Sequence, residues 1–320
     1  IERNVVGNKT TFDLILIDNS NSLESRMRTM LLANSDGTKG FMLKEVNGPT
    51  LGSILPDFRT YPASSIKVLE HYYWSSRVYG DVDPLASVPI YTNWKSDTHN
   101  ANQIDYYLSY QQVTQFMMWN SGNTSANSLM DWAGNGNGVL GRKNINEFGW
   151  NVLGLTDDIN LHHHMATGDV KNDPHNIFTM RQITNLYEDY GNGVGLSLAQ
   201  RVWMHDNMLN ETGVVSDAFG GGVHNVMYQE GAKIGMSKAE VDAVFQNVIL
   251  VWKPGSVTGY ISAAGWIQLP FKTQNGVVYR QFALGAFIDD FSFAASMDMS
   301  GKFLPEILRD TVAEMLDTWK

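Results

Sequence analysis

The run Tyr61-Pro62-Ala63-Ser64-Ser65-Ile66-Lys67-Val68-Leu69-Glu70-His71-Tyr72-Tyr73, residues 61–73, places a serine and a lysine three positions apart at the opening of a strongly apolar stretch. The pattern over 63–78 predicts a helix, and on a helix residues three apart share one face. Ser64 Oγ and Lys67 Nζ can then hydrogen-bond. A serine hydroxyl attacks a carbonyl only when a neighbouring base takes its proton, and a lysine partly withdrawn from water can do this because burial disfavours its charged form. The start of a helix also presents backbone N–H groups to a developing oxyanion. Ser-x-x-Lys by itself is short and common, so the rest of the chain must decide whether it is catalytic.

Upstream, strand-like runs at 40–45 and 51–55 flank Asn47-Gly48-Pro49, a strong turn signal, and predict an antiparallel hairpin leading into Tyr61-Pro62. Still earlier, 11–18 (TFDLILID) reads as a strand and 22–35 (SLESRMRTMLLANS) has apolar residues at helical spacing. Downstream, 110–132 reads as helix, 134–176 is rich in Gly, Asn, Asp and His and suits a short helix with a long functional loop, and 179–190 returns to helix. Three antiparallel strands are expected at 248–252, 259–268 and 277–288. A final amphipathic helix over 304–319 puts Leu304, Ile307, Leu308, Val312, Met315 and Leu316 on one face. The expected class is α/β in the α+β sense: an antiparallel sheet built from both termini, flanked by helices, with an all-helical subdomain inserted in the middle. As one domain over 1–320, this gives a sheet subdomain at about 1–62 and 245–320 and a helical subdomain at about 63–244.

Two further runs join the first. Residues 117–134 read MMWNSGNTSANSLMDWAG and residues 248–265 read VILVWKPGSVTGYISAAG. With 61–73 they resemble, in order, the three motifs of the serine β-lactamase and penicillin-binding-protein superfamily, closest to class A β-lactamases. Pro62-Ala63-Ser64 to Lys67 stands for the first motif, Ser121-Gly122-Asn123 for Ser-Asp-Asn, and Lys253-Pro254-Gly255 for Lys-Thr/Ser-Gly. The resemblance covers about residue 40 to the end. It departs at Gly122, where an acidic residue is usual, and at Pro254, where a hydroxyl residue helps hold a substrate carboxylate. The long interval between Ser121 and Lys253 implies an insertion around 206–247.

Carried onto this chain, the resemblance implies that Ser64 attacks the carbonyl with Lys67 as its base or part of its proton relay. Ser121 passes a proton to the leaving nitrogen. Asn123 hydrogen-bonds Lys67 and the substrate amide, Lys253 supplies positive charge to Ser121 and to an anionic substrate group, and Gly255 leads into Ser256. The backbone N–H groups of Ser64 and Ser256 form the oxyanion hole, with Ser256 as the strand residue facing the site. The glutamate that activates the deacylating water in class A enzymes has no counterpart motif, and its place falls near His162-His163-His164. His163 is the candidate deacylation base, with a plain polar loop or a metal ligand as the other readings of the run.

Composition narrows the partners. The 320-residue chain carries 23 Lys and Arg against 33 Asp and Glu, a net charge of −10, with no basic run able to track a phosphate backbone, so nucleic acid is not expected. It has no cysteine, which excludes disulfides and thiolate sites. No cofactor, metal or membrane span is called for. The expected substrate is a small molecule or peptide with a carbonyl centre and an anionic group. A periplasmic or secreted location, with any signal peptide removed, fits the same reading. Two functions follow: a serine hydrolase working through an acyl-serine, as peptidase, amidase, esterase or β-lactamase with a replaced base, or a non-catalytic ligand-binding protein on the same scaffold.

Overall fold

The computed structural model describes residues 2–6, 9–13, 22–32, 37–92, 94–95, 98–99, 104–165, 175–210, 218–289 and 299–320. Residues 1–35 form one compact unit and residues 36–320 a second. In the first unit, β1 (Glu2–Val6) and β2 (Lys9–Asp13) pair antiparallel with each other, and α1 (Leu23–Leu32) follows. The expected opening strand is met over residues 11–13, but not as part of the main sheet. The part of 11–18 that is described belongs to a separate two-stranded hairpin, and residues 14–18 lie outside the described residues.

The second unit is built on a six-stranded antiparallel sheet. Its hairpin β3 (Thr38–Glu45) and β4 (Thr50–Ile54) turns through Asn47, a non-glycine residue at φ 59°, which asparagine tolerates. A 3-10 turn at Ala63–Ile66 then leads into α2 (Lys67–Ser75). Next come β5 (Ser87–Ile90), β6 (Trp94–Lys95), β7 (Thr98–His99), β8 (Tyr106–Ser109), α3 (Tyr110–Met118), α4 (Asn123–Ala133), α5 (Gly138–Asn151), α6 (Met180–Asn192) and α7 (Leu198–Asp206). After β9 (Leu209–Asn210) come α8 (Ala218–Lys233) and α9 (Lys238–Phe245). The chain closes with β10 (Ile249–Val257), β11 (Tyr260–Thr273), β12 (Gly276–Asp289), a π turn at Met299–Phe303, α10 (Leu304–Ile307) and α11 (Arg309–Trp319). The sheet order is β4-β3-β12-β11-β10-β9, so the late strand β12 docks directly on β3.

Strand parity assigns the two faces of this sheet. Lys253 pairs with Ala264, Gly255 with Ser262 and Ala264 with Gly285, so these residues share a face. A methyl group at Gly285 would sit 3.2 Å from Met180 Sδ, which puts α6 on that face; Ser262 meets Pro62 and Ser65 there as well. The other face carries α8, whose Phe219 ring lies 6.0 Å from Trp252, and α11, whose Glu314 pairs with Arg280. Leu304, Ile307, Leu308, Val312, Met315 and Leu316 are all fully buried, as the amphipathic pattern required.

Two expectations need correction. The middle is not all-helical: β5 pairs with β8 and β6 with β7, and β9 joins the main sheet. The single helix expected over 110–132 is two helices, with Trp119–Gly122 between them. Ser109 caps α3 with its side chain on Gln112 N, whereas α4 restarts at Asn123 after Ser121 takes a left-handed φ of 56°. Among the described residues, no helix is long and apolar enough to cross a membrane.

Candidate active site

The segment carrying Ser64 is held by a closed triangle of buried polar groups. The Pro62 carbonyl oxygen lies 2.7 Å from both the Ser65 and Ser262 hydroxyls, which are themselves 2.7 Å apart. Ser262 comes from β11, so the turn before α2 is pinned to the sheet. β10 presses against the same turn: a Cβ on Gly255 would stand 2.5 Å from Pro62 O, 2.6 Å from Ser65 N and 2.7 Å from Ser64 N. No side chain fits there, which gives the glycine of the third motif a steric reason. Ala63 bears the strain of this packing at φ 46°, a region that costs a non-glycine residue about 1–3 kcal/mol.

Lys67 is fully buried and reaches four oxygens. Its Nζ lies 2.6 Å from Ser121 O, 2.6 Å from Asn123 Oδ1, 3.0 Å from Ser64 Oγ and 3.4 Å from Ser121 Oγ. The carbonyl of Ser121 and the amide oxygen of Asn123 can only accept. A neutral amine spends its two hydrogens on them and keeps its lone pair for the Ser64 hydroxyl. Lys253, exposed by only 1%, places Nζ 3.0 Å from Ser121 Oγ, so Ser121 stands between two lysines. Ser64 and Ser121 are half-buried and Asn123 and Ser256 exposed, so the hydroxyls open to solvent while both amines are shut from it.

That burial sets the charges. Desolvation, then the nearby Lys253 ammonium, lower Lys67 to a pKa of about 7 against an opposing pull from Glu70. Desolvation lowers Lys253 to about 8. At neutral pH Lys67 is therefore part amine, as a base must be, and Lys253 is the more fully charged of the two.

Both departures from the expected motifs have a local cause. A Cβ at Gly122 would lie 3.0 Å from Phe116 O and 3.3 Å from Ser125 Oγ, so the break between α3 and α4 leaves little room for an acidic side chain. Pro254 sits in β10 past Trp252, the last residue paired with β9; beyond it β10 has no outer strand among the described residues, and a missing N–H on that side breaks no ladder. Parity also refines one assignment. Ser256, expected to face the site, follows Gly255 and points its side chain to the opposite face, exposed, so its hydroxyl does not reach the site.

The three histidines diverge. His164 is fully buried, its Nδ1 2.8 Å from an Arg142 nitrogen and its Nε2 3.5 Å from Asp131. The backbone N–H groups of His162 and His163 both donate to Asn176 Oδ1. His163 Nδ1 donates to His164 O at 2.6 Å, which leaves the lone pair on Nε2, and its ring stacks 6.4 Å from Tyr61, three residues before Ser64. That is the tautomer a base needs, although Nε2 is shielded from solvent. Asn127 clamps the next residue by bonding both Met165 O and Met165 N, turning its side chain into the core. Three others are engaged elsewhere, His71 on Met204 O, His205 on Tyr190 and His224 on Asp242, while the His175 ring lies edge-on to Tyr61 at 6.2 Å. No group of three metal-ligating side chains is assembled among the described residues.

The structure thus brings Ser64, Lys67, Ser121, Asn123, Lys253 and Gly255 together. Ser65 and Ser262 were missed, since two ordinary serines far apart in sequence carry no mark of meeting. Trp74 and Trp252 are core, while Trp119, two residues before Ser121, is 48% exposed.

Known proteins resemble the chain at the level of family and fold. A family model described as Beta-lactamase2, the beta-lactamase enzyme family, matches residues 22–279. No curated protein matches the chain. Among solved structures, a beta-lactamase from Xanthomonas campestris pv. campestris superposes with TM-score 0.64 at 17% identity, covering 91% of this chain and 99% of that one. A beta-lactamase from Sphaerobacter thermophilus gives 0.63 at 16%, covering 92% and 98%. The acyl-enzyme complex of a PBP-A point mutant with penicillin G gives 0.59 at 17%, covering 92% and 94%. At these identities the likeness is one of fold.

Proposed function

The chain belongs to the beta-lactamase enzyme family, and from that premise we propose that this serine hydrolase cleaves an amide or ester bond through an acyl-enzyme on Ser64. The observation that carries the reading is the Lys67 amine, whose two hydrogens are taken by Ser121 O and Asn123 Oδ1 while Ser64 Oγ lies 3.0 Å away. Lys67 Nζ takes the hydroxyl proton as Oγ bonds the carbonyl carbon, and the carbonyl oxygen becomes an oxyanion. The backbone N–H groups of Ser64 and Ser256 receive that charge, a role supported by the approach of β10 to Ser64 N at Gly255. Collapse expels the leaving nitrogen or oxygen, which takes a proton from Ser121 Oγ. Ser121 is resupplied from the Lys67 ammonium, and Lys253, 3.0 Å away, holds the relay and attracts an anionic substrate.

Water then releases the acyl group, and His163 is the candidate base for that step: its ring stacks on Tyr61, three residues before Ser64, with the lone pair on Nε2, an atom that water must first reach. Its replacement by Ala lengthens the life of the acyl-enzyme without slowing its formation. The decisive test is intact mass after incubation with penicillin G, a phenyl ester and a D-alanyl peptide. A one-equivalent adduct on Ser64, absent in Ser64→Ala, supports the hydrolase. Saturable binding of all three with no adduct would make this a ligand-binding protein on an enzyme scaffold.

A further inference from the structure

One turn after Lys67, α2 carries Glu70, which no step above uses. It has 0% exposure, and neither carboxylate oxygen has a hydrogen-bond partner among the described residues. A buried carboxylate ordinarily collects several donors, because taking its charge out of water is expensive. The neighbour that feels its charge is aromatic: Tyr110, whose ring stacks 5.0 Å from Trp203 and lies 5.7 Å from Trp74. What Glu70 does have is Lys67, three residues earlier on the same helix face and equally buried. In so dry a setting opposite charges on neighbouring turns act strongly on one another.

Resting on the reading of Lys67 as the base, we infer that Glu70 is a positioning residue for the acylation step, the counter-charge that fixes how readily Lys67 holds the proton it takes from Ser64. No bond to Glu70 forms or breaks. The proton moves from Ser64 Oγ to Lys67 Nζ, and the resulting ammonium, which faces repulsion from Lys253, finds the opposite charge that offsets it in Glu70. Burial raises the Glu70 carboxyl well above its ordinary range and Lys67 pulls it back, so each group favours the charged form of the other and the two titrate as a pair.

The other ionisable groups around them are accounted for. α2 packs against α3, α4, α5 and α7. These elements carry Tyr110 on α3, Asp131 on α4, Arg142, Lys143 and Glu147 on α5, and Arg201, His205 and Asp206 on α7. Asp131 and Arg142 bracket His164, Lys143 and Glu147 pair at the surface, His205 bonds Tyr190, over whose ring Arg201 lies, and the charge of Asp206 acts on His205 and Tyr190. Within α2, burial holds His71 near a pKa of 4, so it stays neutral. Tyr110 is held protonated by burial and by the charge of Glu70.

The test is the rate of Ser64 labelling by a fluorophosphonate, followed from about pH 5 to about pH 9 in wild type, Glu70→Gln, Glu70→Leu and Lys67→Ala. Without the counter-charge Lys67 loses its proton more easily, so the acid limb moves to lower pH by about one unit in both Glu70 variants. The high-pH plateau falls by less than about tenfold, as a weaker base requires. Midpoints equal to wild type in both variants, with Lys67→Ala unreactive, would overturn the inference and leave Lys67 as base. Wild-type labelling in Lys67→Ala would instead remove the base reading itself. A reciprocal measurement covers variants that fail to fold. By linkage, the buried glutamate carboxyl followed by 13C NMR titrates at higher pH in Lys67→Ala than in wild type, and an unmoved carboxyl counts against the pairing.

Discussion

The two ends of α2 are built on opposite rules. At its start, Ser65, Ser262, Lys67, Ser121, Asn123 and Lys253 exchange hydrogen bonds at 2.6–3.4 Å, and the backbone of β10 is packed against them too closely to admit a Cβ. One turn later the side chains are as deeply buried, yet the Glu70 oxygens and the indole N–H groups of Trp74 and Trp203 find no acceptor or donor among the described residues. Polar atoms in a protein interior are satisfied unless something is gained by leaving them otherwise. The first end is organised by direction, with each donor aimed at one oxygen. The second is organised by charge alone, an arrangement that acts over a distance without fixing a geometry.

Gly255→Ala attacks the geometrical end and has the largest expected effect. The new Cβ forces β10 away from Pro62, Ser64 and Ser65, so labelling of Ser64 falls by about a hundredfold and the thermal midpoint drops, both read on one preparation. Normal labelling in this variant would mean that the close approach of β10 is irrelevant to the nucleophile.

Lys253→Ala tests whether direction and charge can be separated at the same end. Its loss should weaken reaction with a carboxylate-bearing acyl donor about tenfold more than with a neutral ester of the same leaving group. Equal losses would confine Lys253 to its bond with Ser121.

The smallest effect sharpens the comparison by relaxing it. Ala63→Gly removes the left-handed strain at φ 46°, and urea unfolding should show a gain of up to about 1 kcal/mol with no gain in labelling rate. A clear loss of stability would mean that the flexibility glycine adds to the unfolded chain outweighs the strain.

How far the chain could be read from its residues follows the same division. The hairpin at 38–54, the three closing strands and the face of 304–319 were legible because period and turn chemistry are local. Ser64 with Lys67 was legible because three residues on a helix fix a distance. The break between α3 and α4 was not, since apolar spacing continues through Trp119 and nothing in Asn120-Ser121-Gly122 distinguishes a left-handed serine from a helical one. The helices at 218–233 and 238–245 were seen only as extra length and that at 198–206 not at all, and the division of the histidine run among Arg142, Asn176 and Tyr61 depends on partners brought in by tertiary packing. Glu70 stands unmarked within the opening motif, because a single glutamate in an apolar helix gives no local sign of where its charge is felt.

The position of β12 between β3 and β11 also orders events in time. Glu45 faces Phe282 across that junction, a separation of most of the chain, and the strand that brings Lys253 to Ser121 joins the sheet through β11. A chain emerging from its amino end therefore completes the helix bearing Ser64 long before the strands that lock it exist. Contacts so distant in sequence form slowly, and until they form, one edge of β3 stays open. Lys253 therefore meets Ser121 only after most of the chain has been made.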